Sequence, residues 1–245
     1  MVAPVLERLL DLWEVTPGEE RLRSMKHAAQ RIRDYMVQPR PESPVAFPFD
    51  DGLERPVWIQ ANVLAHACLL AEDWQSVHQT AAKEPVLGWS SSESTQGLVL
   101  VFFLVLLSGK SSGALPGNLE KLWQQKLADS SGYGYSSGSP LAKRLEAAYT
   151  ELFSHIPLNT DQQAEVLSWC LDTANRRVDA IVGGQHRGSY DKAAMLTAAC
   201  AETLRLRGEK AQASALLIAV RERFPRHRAF QSELNGAVRL MQQSE

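Results

Sequence analysis

The stretch AMLTAACAETLRLRGEKAQASALLIAVRERFP, residues 194–225, decides the fold class, because it reads as two helices folded back on each other. The first begins near Tyr190 and stops at Gly208, a residue that ends helices without steric penalty. The second covers Glu209 to Phe224 and is ended by Pro225, which has no amide hydrogen to continue the ladder.

Working outward, the same grammar recurs on both sides. Ser139 as N-cap and Pro140 at the first helical position open a helix carrying Leu141, Leu145, Ala148 and Leu152. The next opens on Thr160 and Gln163, which have the spacing of a capping box, and runs through Ala164, Leu167, Leu171, Ala174, Val178 and Ile181 to a stop at Gly183 and Gly184. Beyond Pro225 a last helix carries Phe230, Leu234, Val238 and Met241. Nothing in this half asks for a strand.

Toward the amino terminus, Leu22, Met25, Ala29, Ile32 and Met36 recur at steps of three and four, which predicts an amphipathic helix over 18–37 with Arg21, Arg23, Lys26, Arg31 and Arg33 outside. Pro39, Pro41, Pro44, Pro48 and Pro56 then predict an extended connection. Trp58, Ala61, Ala65, Cys68 and Leu69 mark one short helix, and Trp74, Val77 and Ala81 another with Asp73 as N-cap, so a helical hairpin turns at Glu72 and Asp73. Residues 98–107 are apolar without interruption between Gly97 and Ser108. As a helix they rise about 15 Å, half the hydrocarbon thickness of a bilayer, so a buried core helix is expected rather than a span; a buried strand is the alternative. A helix near Asn118 to Ala128 follows, carrying Leu119, Leu122 and Trp123.

The run of Gly and Ser after Ala128 reads as a linker. The expected organisation is a helical region over 1–128, a linker over 129–140 and a helical-repeat region over 141–245, with one continuous domain left open. The expected fold class is all-α, with antiparallel helix pairs stacked as an α-α superhelix.

A chain of 245 residues with 44% hydrophobic content has ample material for a packed core. A formal charge of -2 supplies no global attraction to nucleic acid or to a membrane. The three cysteines, Cys68, Cys170 and Cys200, are odd in number and scattered, which suits a reducing compartment. The first residues lack the basic start and apolar stretch of a signal peptide, so a cytoplasmic location with no membrane association is expected.

On Ala201, Ala213, Leu204, Leu217 and Pro225, the pair over 194–225 resembles one tetratricopeptide repeat; it departs from that pattern at Thr197 and Val220. The resemblance implies a helical-repeat scaffold that binds a protein or peptide on a concave face, or associates with itself. A second resemblance covers Arg177 to Asn235. It rests on Arg177 to Val182, on His186, Arg187, Ser189, Tyr190, Ala193 and Ala194, and on Phe224 to His227 with Ala229, Phe230 and Glu233. These are similar to the helical tail of bacterial SWIM-type zinc-finger proteins. The zinc motif of that family is absent, so only the helical tail is implied.

No metal, nucleotide or other cofactor is expected. His66 and Cys68 are the one close pair of zinc-ligand types, and a spacing of two on a helix turns them to different faces. The phosphate loop and the nucleophile elbow are missing. Cys170 and Cys200 sit among leucines and read as core thiols, and catalytic residues cannot be assigned.

The candidate binding residues are His186, Arg187, Tyr190 and Asp191, in the loop between two well-marked helices, together with Trp89 after Pro85 and Gly88. The loop precedes a helix amino terminus whose free amides suit an anion, with Arg187 and His186 adding charge and a titratable group. In the competing structural reading, Ser189 caps the helix, Tyr190 packs on the preceding turn and Arg187 pairs with Asp179 or Asp191. The tail from Arg205 to Arg228 is locally basic. Three functions therefore remain in play: an interaction scaffold, nucleic-acid or regulatory association through that tail, and an enzyme using His186, Arg187 and Tyr190.

Overall fold

The computed structural model describes residues 3–37, 61–85, 87–88, 95–130 and 139–243. Among them every regular element is helical, so the fold is all-α. In chain order the helices are α1 (Ala3–Val15), α2 (Gly18–Val37), α3 (Ala61–Leu70), α4 (Trp74–Lys83), α5 (Thr95–Ser108), α6 (Gly117–Ser130), α7 (Pro140–Phe153), α8 (Thr160–Val178), α9 (Tyr190–Leu206), α10 (Lys210–Arg223) and α11 (Arg228–Gln243). The prolines between 39 and 56, Trp58 and Trp89 fall outside the described residues, as does the Gly and Ser run over 131–138. Asp129 and Ser130, expected to begin that linker, are instead the last turn of α6.

The apolar run forms α5, and a helix that is apolar all round must be covered all round. It is: α3, α4, α6, α8 and α9 pack against it, and only Leu106 along its length is more than marginally exposed. Successive side chains on a helix point about 100° apart. Phe102 therefore reaches toward α7, meeting Tyr149 and Phe153 at 5.8 and 5.2 Å between ring centres. Phe103 reaches the other way, edge-on to Trp74 and His78 of α4 at 6.1 and 5.6 Å and to Trp169 of α8 at 6.2 Å. Trp123 is fully enclosed, whereas Trp74 and Trp169 stay half-buried because they cover this cluster from outside.

The second axis is α9, which packs against α5, α6, α8, α10 and α11. Ala193, Ala194, Ala198, Ala199, Cys200 and Ala201 are all buried along it, and side chains this small let neighbouring helices come close. The α1–α2 hairpin attaches elsewhere, on α7 and α3. Arg144 of α7 binds Asp11 at 2.7 Å and Glu14 at 2.7 Å, and Arg21 binds Glu151 while its guanidinium lies 4.6 Å over the Trp13 ring.

Three helices end in one way. The residue after the last turn takes a left-handed conformation, its amide donates three residues back, and the next amide donates five residues back. Gly208 fills that position after α9, but Glu72 (φ 59°) fills it after α3 and Gln185 (φ 56°) at the end of the α8 segment. The expected stop at Gly183 and Gly184 is thus displaced. The chain leaves α8 through a π-helical turn over Asp179–Gly183, Gly184 stays right-handed, and Gln185 makes the turn. Two caps also differ from expectation. The capping box of α8 is Asn159 with Gln162, one residue early, since asparagine is the stronger cap. Asp73 makes no capping hydrogen bond; its carboxylate lies 3.6 Å from Arg33 instead.

A buried carboxylate locks α6 onto α9. Glu202, 2% exposed, accepts from the backbone amides of Asn118 and Leu119 at 3.1 and 2.7 Å and from Asn118 Nδ2 at 2.6 Å; Asn118 Nδ2 also donates to the Ala237 carbonyl of α11. The positive end of α6 is thereby capped by a side chain from another helix. Burial raises the Glu202 pKa, and these hydrogen bonds oppose the rise. Glu202→Ala leaves the Asn118 and Leu119 amides enclosed without an acceptor and should lower unfolding free energy by about 3 kcal/mol in urea titration. A loss within 0.5 kcal/mol would mean the cap is dispensable.

Candidate functional site

The loop between α8 and α9 is held by main-chain bonds. Gln185 N–H donates to Val182 O, His186 N–H to Ile181 O and Ser189 N–H to His186 O, the last closing a short turn over Arg187–Ser189. At Gly184 an added Cβ would lie 2.5 Å from Ala180 O and 2.9 Å from the His186 ring, so the absence of a side chain is what lets that ring settle.

The candidate residues of this loop separate by environment. Arg187 and Asp191 are exposed and His186 is partly so. Tyr190 is buried, its ring 5.9 Å from Phe230 and 6.5 Å from His227, within a cluster that Phe224 completes at 5.5 Å from His227 and 5.8 Å from Phe230. It packs on the α10–α11 connection. Ser189 is buried but makes no capping bond with its side chain. Asp179, a possible partner for Arg187, is held by Arg223 at 2.8 and 3.0 Å, and Arg223 also reaches Asn175 at 3.1 Å.

The Tyr190 contact brings together two segments read separately in the sequence: the loop over 185–191 and the end of the basic tail. Around it Arg187, Arg226 and Arg228 are exposed and make no ion pair among the described residues. Other cations of the tail are engaged, Arg207 with Glu209 at 2.8 Å and Arg221 with Asn235 at 2.9 Å. Lys210 stands at the opposite end of α10. The tail is therefore not one continuous patch, and its free charge gathers at the α10–α11 end.

Two shallow depressions, of about 230 and 210 Å³, flank Ile156 between α7 and α8, and neither is lined by the loop over 185–191. Among the described residues no group of three or more His, Cys, Asp and Glu converges, and no helix is long and apolar enough to cross a membrane. The three cysteines are free and buried, and burial raises the thiol pKa of each, that of Cys200 to about 12.

One polar constellation is visible only in three dimensions. His66, on the apolar helix α3, places Nδ1 at 2.5 Å from Tyr149 Oη and Nε2 at 2.7 Å from Ser130 Oγ. Ser130 spends its one hydroxyl proton on the Lys126 carbonyl at 2.8 Å. Ser130 must therefore accept from His66 Nε2–H, which leaves Nδ1 to accept the Tyr149 proton. The result is a one-way chain from α7 through α3 to α6, with every proton committed. It crosses the core as a brace, with no proton of the three side chains left to donate to a substrate. Burial alone pushes the His66 pKa down to about 3 and the Tyr149 pKa up, so both stay neutral.

Two measurements check this geometry. The unfolded chain takes up a proton at His66 below about 6.5, whereas the folded chain does not until about 3, so acid favours unfolding across that window. His66 should contribute a stability loss of about 2 kcal/mol between pH 7 and pH 5, and His66→Gln should flatten the urea-unfolding profile there; an unchanged slope would place His66 elsewhere. At the loop, Gln185→Gly should stabilise by about 1 kcal/mol by removing a strained side chain, and Gly184→Ala should destabilise by about 1–3 kcal/mol. Opposite signs in thermal unfolding would show that the turn is built differently.

Compared with family models, with curated proteins and with solved structures, the chain gives no significant match.

Proposed function

We propose that this protein is a helical scaffold that docks an acidic protein or peptide segment at the end where the loop over 185–191 meets the α10–α11 connection. The observation that carries this reading is the Tyr190–His227 contact, which ties the two segments together while Arg187, Arg226 and Arg228 remain exposed around it. Cations held on a rigid frame bind carboxylates with less ordering loss than cations on mobile loops. Tyr190 is then a positioning residue, and Arg187 and the flanking arginines meet the partner, with His186 beside them.

The reading extends to the tetratricopeptide-like stack. In its support, α9 packs against both α10 and the following α11. It includes a cytoplasmic setting, in keeping with three free thiols. Contact with nucleic acid through residues 205–228 has weaker support, since Arg207, Arg221 and Arg223 are engaged within the protein.

The test is fluorescence polarisation with Glu-rich peptides on the full chain. Binding should weaken as salt rises, and Arg187→Glu with Arg226→Glu should reduce it about tenfold or more while leaving the helical spectrum unchanged. A wild-type chain that binds no acidic peptide at low salt would overturn the proposal, as would a charge-reversed double variant that binds equally well.

A further inference from the structure

A second cationic cluster, independent of the docking end, lies where the last turns of α6 and α8 meet the first turn of α9. Lys126 and Asp129 come from α6, Arg177 from α8 and Lys192 from α9. Arg177 follows Cys170 and Ala174 at steps of four and three, so the helical period turns it inward with them, and it is only 6% exposed.

Arg177 makes no hydrogen bond and no ion pair among the described residues, and its Nε is enclosed without an acceptor. Its neighbour Arg176 also has an enclosed Nε, but satisfies its charge on Asp172 at 2.8 Å. Asp129, the carboxylate that acts on Arg177 through space, is bound at 3.0 Å by Lys126, itself 4% exposed. Lys126 also feels Arg177 and Lys192. Lys126 and Arg177 thus share the one carboxylate of Asp129, and Lys192 adds its positive charge beside Lys126.

Burial lowers the pKa of both Lys126 and Arg177, with Asp129 opposing the shift in each case. A guanidinium does not escape by losing its proton, so it needs an acceptor. Leaving a buried charge without one is strongly unfavourable, so an unmatched buried cation calls for a partner such as an anion beside it.

We propose that Arg177, Lys126 and Lys192 form a binding site for a phosphoryl dianion, free or as the end of a phosphomonoester. A dianion supplies the acceptor that Arg177 lacks and suits a cluster of cations that one carboxylate serves. The planar guanidinium offers directed donors to its oxygens, and the two ammonium groups act as point charges. Half-buried Lys192 and the small exposed part of Arg177 mark the side of entry. Asp129 competes for the same cations and keeps the site from closing on itself.

The experiment is titration calorimetry and thermal unfolding of the full chain with inorganic phosphate and with glycerol 3-phosphate, against acetate at equal ionic strength. Phosphate should bind one per chain and raise Tm where acetate does not. Tighter binding of the ester than of phosphate assigns the site to phosphomonoesters, and the reverse assigns it to the free ion. Arg177→Met should weaken binding about tenfold or more. Asp129→Asn, which removes the competing carboxylate, should tighten it, an effect that a purely structural cluster would not produce. Should Arg177→Met fail to fold, Lys192→Gln at the rim decides and should weaken binding severalfold. The proposal falls if phosphate and acetate act alike on the wild type, or if affinity is unchanged in the folded variants. Either result leaves the peptide-docking end untouched, because Arg187 and Arg226 take no part.

Discussion

A helix that is apolar on every side cannot lie on a surface, and the rest of this molecule is arranged to satisfy that requirement for α5. Five helices surround it, drawn from both sides of the Gly and Ser run, so buried residues from Leu6 to Met241 share one core. Phe102 and Phe103, adjacent in sequence, point to opposite neighbours and gather the aromatic side chains of α4, α7 and α8. Such ring pairs add about 0.5–1.5 kcal/mol each beyond the area they bury. The α9 helix is the complement of α5: its small residues permit close packing where the phenylalanines require space.

Enclosing so much of the chain also encloses polar groups, and the structure handles three of them in different ways. The Glu202 carboxylate spends its charge on the free amides of α6, so its burial becomes a lock between helices. His66 stays neutral, accepting from one hydroxyl and donating to another, so its burial braces three helices. Arg177 has neither solution, which is why an external anion is sought there and not at the other two. The distinction is one of satisfied against unsatisfied charge, and it carries more functional information than burial alone.

At the candidate loop, exposure separates recognition from support. Tyr190 is committed to Phe230 and His227, Asp179 to Arg223, and Gln185 to the turn itself. What remains on the outside is Arg187, Arg226 and Arg228 together with Asp191, framed by those commitments. A loop built this way presents charge with little freedom to lose on binding.

Much of this architecture is written in the sequence, because helical period, caps and breakers are local. The face of α11, the Ser139–Pro140 start of α7, the stop at Gly208 and the burial of α5 all follow from residues a few positions apart, whereas Met36 of α2 and Ala164 of α8, both on predicted apolar faces, are exposed. The inward placement of Arg177 was within reach of the same period, since 170, 174 and 177 share one face. Tertiary structure alone decided the rest: which carboxylate Arg223 takes, that Tyr190 lies against the α10–α11 connection, that His66 meets Tyr149 and Ser130, and that Arg177 meets no acceptor among the described residues. Pairing and desolvation depend on groups brought together from distant parts of the chain, and no local pattern encodes the distance between them.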